Sequence, residues 1–327
     1  MDAPGESELV EVADGVFAYL QADGTWGWSN AGLVAGTTES VLIDTLFDLA
    51  LTQRMLDSMR PHTDSRPIRS VVNTHANGDH CYGNQLVAAP NVDIIASAAA
   101  AKEMEEVPAE LLASMVAGIT EGELGSYIQH AFGAFDFNGI QHTEPTLLFD
   151  QQHTVEAGDR AVELFEVGPA HTDGDVIAWL PDEGVLFSGD ILFIEGTPIM
   201  WAGPVDGWIA ALDRILELEP KVIVPGHGPL TDAAGVRILR SYFLDLKRWV
   251  SERHVAGLSI EDTIRDIDAE VDKSAYAAWT DRERIVVNVQ SVWRELDTSF
   301  VSPDVLAVFS AMAQNHAERV GQRRVTN

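Results

Sequence analysis

Two distant stretches of this sequence run through the same order of elements. In the first, apolar and alternating runs (LVEVADGVFAYL, NAGLVAG, SVLID) separated by Gly, Asp and Asn read as short strands from about residue 8 to residue 44, the last ending at Asp44. FDLALTQRMLDSMR then carries apolar residues at helical spacing until it meets Pro61, and IRSVVNTH is a β-branched run ending at His75. In the second stretch, DVIAWLPDEGVLFSGD reads as a hairpin closing on Asp190. VDGWIAALDRILELEP follows as an amphipathic helix stopped by Pro220, and KVIVPGH is a short strand leading to His227. Two such halves packed face to face predict an α/β (α+β) fold, a four-layer αββα sandwich with both sets of strand ends at one edge.

With 327 residues, 46% of them hydrophobic, the chain can fill such a core and carry an appendage. Residues from about 96 to 143 (ASAAAAKEMEEVPAELLASMVAG and onward) look helical between Pro and Gly breaks, and read as an insertion between the halves. After Thr231 the pattern is helical throughout: AAGVRILRSYFLDLKRWVSERHVAG, SIEDTIRDI, DRERIVVNVQSVWRELD and SPDVLAVFSAMAQNHAERV. No polar linker separates this tail. The expected organisation is therefore a sandwich domain over residues 1–232 with a helical extension, 233–327, packed on it.

The strand ends carry the chemistry. NTHANGDHCYGN places His75, Asn77, Asp79 and His80 together directly after an apolar strand. GPAHTDGD offers His171 in a turn, LFSGD puts Asp190 at a strand end, and VPGHG puts His227 at another. The single cysteine, Cys81, excludes a Cys-rich metal module and any internal disulfide, so a metal would be held by imidazole and carboxylate. Those donors suit zinc, with iron or manganese as alternatives. Each histidine alone reads as a capping or core residue; the agreement of type, number and placement favours a shared site.

The order of these segments resembles the metallo-β-lactamase superfamily, whose first motif is H-x-H-x-D-H. The resemblance covers about residues 8 to 232. It implies the αββα sandwich with one or two metal ions at its edge. His75, Asn77 and His171 would form the first metal site, Asp79, His80 and His227 the second, and Asp190 would bridge them. Asp44 matches a structural aspartate beneath the site, a hydrogen-bond acceptor. A metal-held hydroxide would attack an acyl carbon, with Asp79 as the catalytic residue that orients it or moves its proton. Asn77 departs from the motif, because an amide oxygen is a weaker ligand than imidazole and leaves the first site weaker or empty.

These expectations describe a hydrolase of esters, lactones, thioesters or amides of a small, apolar substrate. Alternatives are a polyketide thioesterase or cyclase of the same fold, and a binding protein that lost chemistry when residue 77 became Asn. The formal net charge of −30 argues against nucleic acid and anionic membranes as partners. An acidic N-terminus without a signal-like apolar run predicts a cytoplasmic protein, with a homo-oligomer open. Asp173 and Asp175 read as turn residues, and His62, His130, His142, His153, His254 and His316 as ordinary. Trp26, Trp28, Trp201, and the Phe132 to Phe137 stretch with the insertion, read either as core or as an apolar cover for a substrate.

Overall fold

A computed structural model describes residues 7–21 and 24–326. Strands β1 (Glu8–Ala13), β2 (Val16–Leu20), β3 (Ala31–Ala35), β4 (Ser40–Ile43), β5 (Ile68–Val72), β6 (Asp93–Ser97) and β7 (Leu147–Phe149) form a seven-stranded sheet in chain order. β8 (Gln152–Ala157), β9 (Arg160–Glu166), β10 (Val176–Leu180), β11 (Val185–Phe187) and β12 (Val222–Val224) form a second sheet in the order β12-β11-β10-β9-β8. The repeated order seen in the sequence is a repeated geometry. β4 and β5 pair in parallel across helix α1 (Leu49–Thr63), just as β11 and β12 pair in parallel across a later helix.

Residue alternation places the sheets. Val41 and Ile43 of β4 join a buried cluster with Ala178 and Phe187 of the second sheet, while Leu42 between them joins another cluster with Leu51 and Met55 of α1. The period of two sends neighbouring side chains to opposite faces, so both faces of β4 are covered. Each such apolar side chain contributes about 1.5–3 kcal/mol on full burial. Gly32 of β3 permits the close approach of the sheets: a Cβ there would lie 2.1 Å from the Phe187 ring.

Asp48 caps α1, its carboxylate accepting from Leu51 N at 2.7 Å. The helix runs past Pro61 to Thr63, beyond the stop read from the sequence. The missing proline N–H deprives only the Asp57 carbonyl, and Asp57 lies on the exposed face where water can serve it.

A single turn, α2 (Gly78–Cys81), follows β5. α3 (Ala98–Met104) begins directly at the end of β6 and packs on it, so the helices that leave the sheet are α4 (Ala109–Gly118) and α5 (Gly122–Phe132). α6 (Val205–Glu217) covers the second sheet and is followed by α7 (Ala233–Val255), α8 (Ile260–Val271), α9 (Ile285–Leu296) and α10 (Val305–Thr326). α7 packs on α6, and α10 returns to pack on α5. The tail therefore closes against the middle of the chain. Among the described residues, no helix is long and apolar enough to cross a membrane.

Candidate metal centre

The site forms where the strands of both sheets end. His75 leaves β5, Asp79 and His80 stand on α2, Asp190 follows β11, and His227 follows β12. Backbone bonds fix the α2 turn: Asn77 O accepts from His80 N at 2.9 Å, and Ser29 Oγ donates to Asp79 O at 2.6 Å. His171 enters from the turn after β9. All six side chains are buried.

Two groups result, His75 with His171 and Asp190, and Asp79 with His80 and His227; within each, the ligand atoms lie within 4.8 Å of one another. Asp190 touches both. Its Oδ2 is 3.3 Å from His171 Nε2 and 3.5 Å from His227 Nε2, and its Oδ1 is 3.1 Å from His80 Nε2. Asp79 Oδ2 lies 3.2 Å from His227 Nε2. Gly226 makes room for this carboxylate, since a Cβ there would stand 2.0 Å from Asp190 Oδ1.

Neighbouring groups fix the imidazole tautomers. His80 Nδ1 is 2.8 Å from Asp44 Oδ2, His171 Nδ1 is 2.6 Å from Ile199 O, and His75 Nδ1 is 3.1 Å from Thr74 Oγ1. The Nε2 atoms are left to face the centre. Asp44 is itself held by Thr74, whose N and Oγ1 each donate to it at 2.7 Å. It occupies the place beneath the site that the resemblance implied.

The carboxylates of the site divide the four imidazoles. Burial, reinforced by repulsion from His80, keeps the His75 imidazole well below its usual range, and burial also lowers His171, so both stay neutral. Burial opposes the charge of His80 and His227 too, but Asp190 and its neighbours raise both, His227 to about 9. Burial alone would raise the Asp190 carboxyl; His227 and His80 hold it well below the carboxylate range.

A divalent metal fits these residues. The buried Nε2 atom of His75 has no hydrogen-bond partner among the described residues, and His80 Nε2 and Asp190 Oδ1, 3.1 Å apart, meet no other group in hydrogen-bonding geometry, a costly condition that coordination would relieve. The donor set, imidazole plus carboxylate, is that of zinc, iron or manganese sites. Asn77 reaches the first group from its edge, with Nδ2 2.9 Å from His171 Nε2. Which amide atom faces the imidazole is an assignment of the side-chain flip.

Cys81 takes no part; burial pushes its thiol far up, and Sγ points to Ala76 O at 3.5 Å. Asp175 is a turn residue that accepts from Thr172 N and Oγ1, and burial pushes its carboxyl up to about 8. Asp173 sits in the same turn, its N–H donating to Glu103. The remaining histidines lie away from the centre: His62 packs on Phe17, His153 on Phe149, His254 on Trp293, and His130 beside His316. His142 lines a separate small cleft beside Tyr82.

Above the centre opens a cavity of about 370 Å³ whose walls are mostly apolar. Trp26, Trp201 and Phe132 line it, whereas Trp28 packs on Phe135, and Phe135 and Phe137 surround Phe47 in the core. Leu111, Leu112 and Met115 of α4 and Val305 and Phe309 of α10 complete the walls. The helical tail is thus part of the pocket.

One wall residue escaped the sequence reading. Asp281, Arg282, Glu283 and Arg284 are four consecutive charged residues, and all are buried. Glu283 Oε1 accepts from Trp26 Nε1 at 3.2 Å and Tyr127 Oη at 3.1 Å, and its Oε2 lies 3.5 Å from His316 Nδ1. Arg284 lines the cavity. A charge run ordinarily reads as a solvated face, so only tertiary packing exposes this one as interior.

Fold and site together define a metallo-hydrolase-type scaffold, and the chain belongs to the metallo-beta-lactamase superfamily, whose sequence profile matches residues 24–227. Among individual relatives, it is 26% identical over 218 residues to Acyl-coenzyme A thioesterase MBLAC2 of Homo sapiens, spanning 61% of this chain and 72% of that protein. It is 21% identical over 207 residues to Metallo-beta-lactamase type 2 of Bacillus cereus, spanning 62% of this chain and 68% of the relative. The solved metallo-beta-lactamase from Pontibacter korlensis superposes with a TM-score of 0.56 at 20% identity, covering 73% of this chain and 99% of that one. That likeness concerns the fold.

Proposed function

We propose that this protein is a metal-dependent hydrolase, with zinc as its metal, cleaving an ester, lactone, thioester or amide bond in a small apolar acyl compound. The observation that carries the reading is the placement of two metal-binding groups, joined by Asp190, at the foot of an apolar cavity. His75, His171 and Asp190 would hold one ion, and Asp79, His80 and His227 another, with Asn77 weakening the first position. When bound, the metal supplies Lewis-acid polarisation of the scissile carbonyl and lowers the pKa of water.

The chain's own residues do the rest. Asp79, at the cavity floor, orients the attacking water and takes its proton; the bond from the tetrahedral carbon to oxygen, sulfur or nitrogen then breaks as Asp79 gives that proton to the departing alcohol, thiol or amine. Asp44 and Ile199 O hold the His80 and His171 rings in the ligating tautomer. Trp26, Phe132 and Phe309 bind the apolar acyl part and exclude water. The similarity to acyl-coenzyme A thioesterases supports thioester cleavage. Glu103 and Glu106 at the cavity edge, with a net charge of −30, oppose a polyphosphorylated leaving group and favour a small one.

Metal analysis of the purified protein, paired with turnover of generic ester, lactone and thioester substrates, tests the reading. We expect at least about one equivalent of metal, loss of turnover with chelator, and a drop of about 100-fold or more in Asp79→Asn. Less than about half an equivalent would sink the enzymatic reading in favour of a binding protein. Full turnover in the chelated protein or in Asp79→Asn would refute the mechanism.

A further inference from the structure

The cavity above the metal centre is apolar at its mouth as well as in its depth. Val107, Leu111 and Val305 line it and are 49%, 46% and 61% exposed. Twelve large apolar side chains stand exposed among the described residues, and three of them meeting on one cavity is more than the scattered singles that any surface carries. Helical spacing connects this rim to the interior. On α10, Val305 stands four residues before Phe309, which is 6% exposed; on α4, Leu111 stands four residues before the half-buried Met115. Residues four apart share a helix face and lie about 6 Å apart along the axis, so each helix carries an apolar line from the cavity to solvent. Both lines are anchored: Tyr82 Oη donates to Val107 O at 2.9 Å, and Asp304 Oδ1 accepts from Ala307 N at 2.8 Å in the first turn of α10.

We propose that Leu111 and Val305, with Val107, are specificity-determining residues that bind the outer part of an acyl chain, so that the preferred substrates are single-chain aliphatic acyl compounds long enough to reach the cavity mouth. This rests on the hydrolase reading above and narrows its apolar acyl part. A substrate held wholly among Trp26, Phe132 and Phe309 would leave the rim in water. A flexible chain passing between α4 and α10 covers both apolar lines, and each methylene that leaves water there strengthens transition-state binding by up to about fourfold. Other occupants of an apolar rim fit less well. Glu103 and Glu106 line the same cavity and the formal net charge is −30, so an anionic membrane surface or a second copy of this chain would meet like charge.

The test uses para-nitrophenyl esters of butanoic, octanoic, dodecanoic and naphthoic acids, held below the concentrations at which they aggregate. The proteins are the wild type, the double variant Leu111→Gln with Val305→Gln, and Val255→Gln as a control, since Val255 is 86% exposed at the end of α7 and does not line the cavity. Binding of the matching methyl ketones is measured by calorimetry alongside. For the wild type we expect dodecanoyl to exceed butanoyl by at least about 100-fold in kcat/KM, mainly through KM, and to exceed naphthoyl. The dodecanoyl-to-butanoyl ratio should fall about tenfold in the double variant and keep its wild-type value in Val255→Gln. The proposal is overturned if the wild-type ratio is about one, if naphthoyl is preferred, or if the double variant keeps the ratio. It is overturned in favour of a docking surface if the double variant changes the protein's mass in solution or abolishes co-sedimentation with phosphatidylcholine vesicles. Should the double variant fail to fold, Leu111→Gln and Val305→Gln decide singly, at about threefold each. If no ester is hydrolysed, the hydrolase reading fails separately, and the calorimetric ladder still reads the rim.

Discussion

Asp44 Oδ2 accepts from both Thr74 Oγ1 at 2.7 Å and His80 Nδ1 at 2.8 Å, joining the end of β4 to the candidate metal centre through one carboxylate. The backbone of Asp44 holds φ at 62°, a conformation unusual for a residue with a side chain, so the position is imposed by its contacts. Asp44→Ala should leave the Thr74 N–H and His80 Nδ1–H buried without an acceptor, destabilising the fold by about 1–3 kcal/mol. Metal affinity should fall about 10–100-fold, read by competition with a chromophoric chelator. Unchanged affinity would show that His80 needs no orienting partner.

Gly226→Ala tests the seat of Asp190 without removing a donor. The added Cβ would meet Asp190 Oδ1 at 2.0 Å, so the carboxylate must shift away from one of its two groups. We expect metal content to fall by at least about half, because both sites share that oxygen pair. Retention of full loading would mean that Asp190 does not join the two groups.

Asn77→His addresses the departure from the motif. Asn77 already lies against His171 Nε2, so an imidazole there is placed to complete the first group. Metal content should rise from about one equivalent toward two. Unchanged content would show that Asn77 is not what limits the first site.

Phe309→Ala would open the cavity from the α10 side. Phe309 is buried, with its ring centroid 5.8 Å from Phe132 and 6.2 Å from Trp26. Truncation should cost about 3–5 kcal/mol of stability. KM for long apolar esters should rise several-fold more than KM for acetate esters; equal effects on both would place Phe309 outside the binding wall.

Glu283 gives a pH dependence with a defined sign. Its burial would raise the carboxyl, but His316, the Glu283 backbone, Arg284 and Trp26 lower it to about 2 from 4.5, and Tyr127 Oη also donates to it. A depressed folded pKa stabilises the fold fully above the unfolded value and loses that contribution as pH falls through the folded value. The stability advantage of wild type over Glu283→Gln should therefore be constant above about pH 5 and shrink progressively toward about pH 2. An advantage that grows on acidification, in urea melts across that range, would reverse the assignment.

The sheets and the six metal-site candidates were legible in the sequence for a local reason. Val41-Leu42-Ile43 alternate faces through covalent geometry alone, and His75, Asp190 and His227 each follow an apolar run, so their shared edge is a consequence of strand termination. The continuation of α1 through Pro61 was hidden, because it depends on which face of the helix meets water.

By itself the sequence determined the two hairpin-helix-strand halves, the types of donor and the asparagine at position 77. Tertiary structure alone decided what stands above those donors. Asp281 to Arg284 are interior only because α5, α10 and the Trp26 loop close over them, and Phe309 becomes a cavity wall only because the last helix packs on the insertion. Burial of a charge is set by partners distant in the chain, and no local pattern of spacing or hydropathy records it.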